Sequence, residues 1–134
     1  AFDLIRRPAH YDVIVAPNLF GDILSDLVAA LAGGLGLAPS ANLHPGRPGL
    51  FEPVHGSAPD LVGTGLANPL AALLTTALMV RELGFGPAAE RIEAAVSSAI
   101  RQGQLTPDLG GSLTTDAVGD WVCQQLLTRQ PGAV

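Results

Sequence analysis

The sequence has a single cysteine, Cys123, so no intramolecular disulfide can form, and it opens without the basic, apolar and small-residue order of a secretory signal. A reducing, cytoplasmic setting is the expectation. No cationic neighbour activates Cys123, which is expected to be an inert buried thiol. Basic residues are few: seven Lys+Arg against twelve Asp+Glu give a formal charge of -5. They are scattered from Arg6 to Arg129, without the stripe that follows a phosphate backbone, so no nucleic-acid partner is expected. Long hydrophobic runs are also lacking. The longest, Leu27 to Ala38 and Leu70 to Val80, fall short of the roughly 20 residues of a bilayer span, and no membrane helix is expected. There is no internal repeat, no low-complexity period and no linker long enough to divide two domains.

What is present is apolar: 48% hydrophobic against 14% charged in 134 residues, the proportion of one globular unit of ordinary domain length. Sixteen Gly and eleven Pro fall between apolar runs and mark element ends. The β-branched run Tyr11 to Ala16 predicts a strand buried on both faces, ended by Pro17-Asn18. Asn18 is placed to cap a helix from Leu19 to about Ala32, with Ile23, Leu24, Leu27, Val28 and Leu31 on one stripe and Gly33-Gly34 as its stop. Residues Gly33 to Gly49 read as a long surface connection, and Leu50 to Val54 as a short strand that Pro53 limits.

After a tight loop at His55 to Asp60, Asn68-Pro69 opens a very apolar helix to about Leu83, closed by Gly84. Pro87 to Gln102 predicts an amphipathic helix with Ile92, Val96 and Ile100 on one side, ended by Gly103. A turn at Pro107 to Gly111 precedes a last helix through Leu127, capped by Thr114 or Thr115, with Trp121 in the core beside Val118 and Val122. His10 and His44 read as surface residues. Strand, helix, long loop, strand and three helices place the chain in the α/β class. Two strands make too little sheet for so many apolar helices. The chain also opens on Ala1 and in mid-element, the expectation for part of a longer polypeptide.

Two features carry chemistry. Asp22 and Asp26 are four apart on the first long helix, so their carboxylates share a face and repel by about 0.2–0.5 kcal/mol. A divalent cation reverses that sign, and an oxygen-only donor set suits Mg²⁺ or Mn²⁺ with water or substrate at the other positions. The competing reading is two solvated acids near a helix N-terminus. The loop Glu52-Pro53-Val54-His55-Gly56-Ser57-Ala58-Pro59-Asp60 packs two acids, an imidazole and a hydroxyl into nine bent residues. An imidazole stacks on a base, and a carboxylate accepts both ribose hydroxyls while repelling a 2′-phosphate. Here the competing reading is a polar turn in which Asp60 caps a short helix and His55 bonds to backbone. Gly33-Gly34-Leu35-Gly36 follows a helix and lacks the full dinucleotide pattern.

Asn18-Leu19-Phe20-Gly21-Asp22-Ile23-Leu24-Ser25-Asp26, Gly33-Gly34-Leu35-Gly36-Leu37-Ala38-Pro39-Ser40-Ala41-Asn42, Phe51 to Asp60 and Ala67-Asn68-Pro69 together closely resemble the isocitrate/isopropylmalate dehydrogenase family. Its members are metal- and NAD-dependent β-decarboxylating dehydrogenases, and the match runs in order from about Tyr11 to Leu126. The resemblance implies an isopropylmalate dehydrogenase-like three-layer fold, present as an incomplete C-terminal part (1–134) with few strands and about four helices. It implies that Asp22 and Asp26 are metal ligands for Mg²⁺ or Mn²⁺ in Lewis-acid catalysis. His55, Gly56, Ser57, Ala58, Pro59 and Asp60 match the adenosine-binding loop, Asn68 the residue beside the adenine, and Glu52 a glutamate near the nicotinamide end. Members preferring NADP tend to carry lysine where Asp60 stands, so NAD is the implied cofactor.

The resemblance also marks absences. The arginines that bind substrate carboxylates, the acid/base tyrosine and lysine, and a further metal aspartate belong to the earlier part of a family member, so no catalytic residue is assigned here and the chain alone is not expected to turn over. A homodimer is implied for the complete protein. The substrate implied by the resemblance is a malate-type 2-hydroxy acid. Pro39 to Pro45 with Leu50 to Pro53 look most like the tartrate/D-malate branch, whereas Thr106 to Gly111 and Leu27 look similar to homoisocitrate or isocitrate members. Isopropylmalate enzymes share the His55 to Asp60 loop. The alternative is a non-catalytic nucleotide-binding or partner-pairing fragment. Asp108 receives no role.

Overall fold

The computed structural model describes residues 1–128, so Arg129 lies outside the described residues. In chain order the described elements are α1 (Phe2–Arg6), α2 (Asn18–Leu31), β1 (Pro39–Asn42), β2 (Leu50–Pro53), α3 (Leu70–Glu82), α4 (Gly86–Arg101) and α5 (Thr115–Thr128). The four long helices answer the sequence pattern. The five-residue α1 does not figure in that pattern. A single Arg7 guanidinium grips Asp3 at its end, with Nη2 2.8 Å from Oδ1 and 2.8 Å from Oδ2. The Tyr11 hydroxyl also donates to Asp3 Oδ2. Together, Tyr11 first and Arg7 second, they hold the Asp3 carboxyl below its ordinary range.

The core is built where α3, α4 and α5 meet. Leu70, Val96, Val118 and Val122 are fully buried there, and Leu73, Leu74, Leu113 and Trp121 pack against them. Alanines make the close approach possible: Ala71, Ala77, Ala89, Ala95 and Ala99 are all buried, so the helix backbones near one another without bulky side chains between them. Thr75, also buried, turns its hydroxyl back to the Ala71 carbonyl at 2.8 Å. On its other side α3 packs against both strands. β1 and β2 pair antiparallel in the register Pro39↔Pro53, Ser40↔Glu52, Ala41↔Phe51 and Asn42↔Leu50. The two prolines sit opposite each other at one end of the ladder, where no further N–H is required of them.

Several local expectations fail. Tyr11 to Ala16 forms no strand, and Val13 and Val15 are 82% and 94% exposed. Among the described residues no second strand lies alongside to pair its N–H and C=O groups, and a strand exists only by such pairing. The apolar stripe of α2 is largely uncovered for a similar lack of neighbours: its main contacts among the described residues are with α1 and the 3₁₀ turn Leu35–Leu37, and Ile23 and Leu31 are exposed. Asn18 is the first residue of α2 rather than a side-chain cap; its amide turns to Asp22 instead. The supposed long connection contains β1, whose small polar sequence Pro-Ser-Ala-Asn lacks a β-branched signal. Ile100 is 41% exposed because α4 buries its alanine and serine stripe instead. Cys123 is exposed on α5, on the face turned away from Val118 and Val122.

The helix ends follow the sequence more closely. Asn68 Oδ1 accepts the Leu70 N–H at 2.9 Å and Thr114 Oγ1 the Ala117 N–H at 3.2 Å, each satisfying a donor of a first turn. Gly84 and Gly103 close α3 and α4 at φ 89° and 67°, left-handed values that favour glycine. No helix among the described residues is long and apolar enough to cross a membrane. Leu70 carries the largest fully buried side chain. Leu70→Ala is expected to lower stability by about 2–5 kcal/mol, read as a lower urea midpoint with unchanged slope.

Candidate functional site

The chain leaves the ribbon at Pro53 and bends through Val54 and His55 toward a short 3₁₀ turn at Pro59–Leu61. Ala58, just before that turn, stands in the left-handed region at φ 42°, ψ 64°, a conformation that costs a non-glycine residue about 1–2 kcal/mol. The segment then runs on through Gly63 and Gly65 to Asn68, so that loop, turn and helix start enclose a cleft. Its volume is ≈ 810 Å³, within the range of about 300–1,000 Å³ usual for small-molecule sites. Leu61, Val62 and Leu66 give it an apolar lining. The 3₁₀ turn around Gly36 and the start of α5 at Thr115 and Asp116 complete the wall.

Few polar groups point the chemistry. His55 Nδ1 donates to the Gly56 carbonyl at 2.9 Å, a tautomer assigned from the carbonyl's acceptor-only character. Its Nε2 is shielded from solvent and has no hydrogen-bond partner. Asn68 Nδ2 donates to Asp108 Oδ2 at 2.9 Å, and Thr106 Oγ1 donates to Asp108 Oδ1 at 2.5 Å. Thr115 closes the far wall by donating to the Ala67 carbonyl at 2.6 Å. Two carboxylates, Asp108 and Asp116, line the cleft, and among the described residues no arginine does.

Asp22 and Asp26 lie outside this cleft, exposed and one turn apart on α2. Asn18 Nδ2 donates to Asp22 Oδ2 at 3.2 Å, and Ser25 Oγ donates to the Asp22 carbonyl at 2.9 Å. Beside them a smaller hollow of ≈ 340 Å³ is lined by Ile14, Ala16, Gly21, Leu24, Ser25 and Val28. No group of three or more His, Cys, Asp or Glu converges among the described residues. Two carboxylates with room for water and substrate still fit a Mg²⁺ or Mn²⁺ ion, which takes only one or two protein carboxylates.

A family model for isocitrate/isopropylmalate dehydrogenase matches residues 1–122. The chain belongs to the isocitrate/isopropylmalate dehydrogenase family. It is 54% identical over 126 residues to an isocitrate/homoisocitrate dehydrogenase of Thermus thermophilus, covering 94% of this chain and 37% of that protein. It is 56% identical over 128 residues to a 3-isopropylmalate dehydrogenase of Caulobacter vibrioides, with the same coverage of 94% and 37%. The crystal structure of isocitrate dehydrogenase from Methylococcus capsulatus superposes with a TM-score of 0.89 at 43% identity, over 96% of this chain and 38% of that one. The chain thus spans a little over a third of the length of these relatives, 37% of each curated one.

Within this family member the structure brings His55, Gly56, Ser57, Ala58 and Asn68 onto one cleft. Pro59 and Asp60 sit exposed in the adjoining 3₁₀ turn, and Glu52 is exposed on β2; none of the three lines the cleft. Sequence reasoning missed Asp108, Thr106 and Asp116. The Thr-Pro-Asp spacing was the available signal for the first two, since a threonine hydroxyl two residues before an aspartate in a proline turn reaches its carboxylate. Gly36 packs hard against this group: a Cβ there would lie 2.9 Å from both Asn68 Nδ2 and Asp108 Oδ2. Gly36→Ala is expected to force the two side chains apart and lower stability by about 1–2 kcal/mol, read as a fall in melting temperature.

Proposed function

We propose that this chain is the C-terminal part (1–134) of a β-decarboxylating dehydrogenase domain, and that the complete protein catalyses the NAD-dependent oxidative decarboxylation of a malate-type 2-hydroxy acid with Mg²⁺ or Mn²⁺. The observation that carries this reading is the convergence of His55 to Ala58 with Asn68 on a single cleft in a chain of this family. The cleft has the volume, the apolar walls and the few oriented polar groups that an adenosine needs. His55 supplies a flat ring and an unpartnered Nε2. Asn68 offers an amide edge of one donor and one acceptor, the pattern complementary to an adenine edge.

Residues Asp60, Asp108 and Asp116 put negative charge in or beside the cleft, and among the described residues no Lys or Arg lines it, which favours a free ribose hydroxyl over a 2′-phosphate. Glu52, on the ribbon leading into the loop, serves the nicotinamide end in this reading, on the strength of the family resemblance. Asp22 and Asp26 hold the divalent ion, with Asn18 steadying the Asp22 carboxylate. A bound ion supplies Lewis-acid polarisation of substrate oxygen, and a bound NAD the hydride acceptor. The substrate is one of the acids that the relatives' names span, 3-isopropylmalate, isocitrate or homoisocitrate, or, on the resemblance of Pro39 to Pro45 and Leu50 to Pro53, tartrate or D-malate. The complete protein is a cytoplasmic homodimer.

The test is NADH formation by the complete polypeptide with Mn²⁺ on each of these five acids. Turnover on at least one is expected. Silence on all of them, with NAD still bound, would favour a non-catalytic nucleotide-binding module. Asp22→Asn or Asp26→Asn is expected to lower kcat by about 10²–10³-fold, the scale of losing one preorganised charge contact at a reacting centre, and to weaken Mn²⁺ binding in titration calorimetry. Near-normal kcat at low Mn²⁺ contradicts the role. Asp60→Lys should move the NAD to NADP ratio of kcat/KM toward NADP by about tenfold or more, or 1.4 kcal/mol; an unchanged ratio removes Asp60 from ribose selection.

A further inference from the structure

We infer that Asp108 is a positioning residue for the nucleotide cleft, locking the Asn68 side-chain amide in the orientation that meets a base. The inference rests on the reading of the cleft as an adenosine seat. Asn68 Oδ1 already accepts the Leu70 N–H at 2.9 Å, and Nδ2 donates to Asp108 Oδ2 at 2.9 Å. Turning the amide over would set Oδ1 against a carboxylate and the NH₂ group against a backbone N–H. Both contacts would then be repulsive, so the amide has one orientation. One N–H and one lone pair of Asn68 remain for a ligand.

Asp108 is itself held from behind. Thr106 is buried at 1% exposure, so no water competes for its hydroxyl, which donates to Asp108 Oδ1 at 2.5 Å. The turn carrying both residues is tied by Leu109 N–H to the Thr106 carbonyl at 3.1 Å and Gly111 N–H to the same carbonyl at 3.0 Å. Gly110 takes φ 79°, and a Cβ on Gly111 would fall 1.9 Å from the Leu105 carbonyl oxygen. The turn therefore has little freedom to carry the carboxylate elsewhere. Across 40 residues of sequence, it reaches the start of α3 and orients one amide there.

Positioning makes a different prediction from direct charge attraction. In Asp108→Asn the new amide can accept from Asn68 and donate to the Thr106 hydroxyl, which turns to accept, so the orientation survives without the charge. In Asp108→Ala nothing holds Asn68 on that side. Calorimetric titration of the complete polypeptide with NAD, AMP and nicotinamide mononucleotide separates the cases. Asp108→Ala is expected to weaken NAD and AMP by about tenfold, the scale of one well-placed hydrogen bond, and to leave nicotinamide mononucleotide within about twofold. Asp108→Asn is expected to stay within about threefold of wild type for all three probes.

Equal losses in Asp108→Ala and Asp108→Asn would overturn the inference in favour of charge. Wild-type AMP affinity in Asp108→Ala, with affinity lost in Asn68→Ala, would overturn it while leaving the adenosine seat intact. If Asn68→Ala also binds AMP normally, the reading of the cleft falls and the inference with it. Should Asp108→Ala not fold, Thr106→Val carries the test, with an AMP-specific loss of about threefold or more expected and no loss overturning the inference.

Discussion

One asparagine amide joins the parts of this molecule that matter. Asn68 satisfies the first free N–H of α3 with its oxygen and reaches Asp108, forty residues on, with its nitrogen. The helix it starts carries Leu70 into the core formed with α4 and α5. The turn it meets stands just before α5. Fixing that amide thus fixes the base of the cleft relative to the core. A ligand that uses the remaining edge of Asn68 is read by a group whose geometry is set by the packing of the whole helical layer, rather than by a loop acting alone.

Much of this was legible in the residue order because the governing rules are local. Asn-Pro before an apolar run, Gly84 and Gly103 after one, and Thr114 before α5 each act within a single helical turn, and the helix ends fall close to where those residues put them. Legibility stopped where pairing with a distant segment decides the outcome. Pro39 to Asn42 has almost no strand propensity of its own and forms β1 because β2 lies opposite. Tyr11 to Ala16 has every local mark of a strand and forms none, since no partner lies beside it among the described residues. The same division holds in the cleft. The His55 to Asp60 loop was visible as a dense polar run, whereas Asp108 gains its place from a contact forty residues away that no periodicity announces.

The two halves of the chain differ in how much they enclose. From Leu70 onward alanine and valine stripes meet and exclude water. Before Gly33 large apolar groups stand open: Phe2, Val13, Val15, Phe20 and Ile23 are all exposed. Single exposed apolar side chains are ordinary, but a run of them along one segment and one helix face marks a surface made for contact. The chain spans 37% of the curated relatives it matches, and this open face belongs to the half that carries α2. The larger cleft takes most of its lining from Leu35 to Asn68, between these two regions, and only Asp108, Thr115 and Asp116 from the well-packed half.

Ala58 stands at a left-handed backbone angle that glycine would adopt freely. A methyl group there narrows the wanderings of the unfolded chain while placing mild tension on the folded one. The loop holds that angle through bonds of its own, the Leu61 N–H to the Ala58 carbonyl and the Val62 N–H to the Pro59 carbonyl, so the bend at Ala58 and the short turn after it form one local unit.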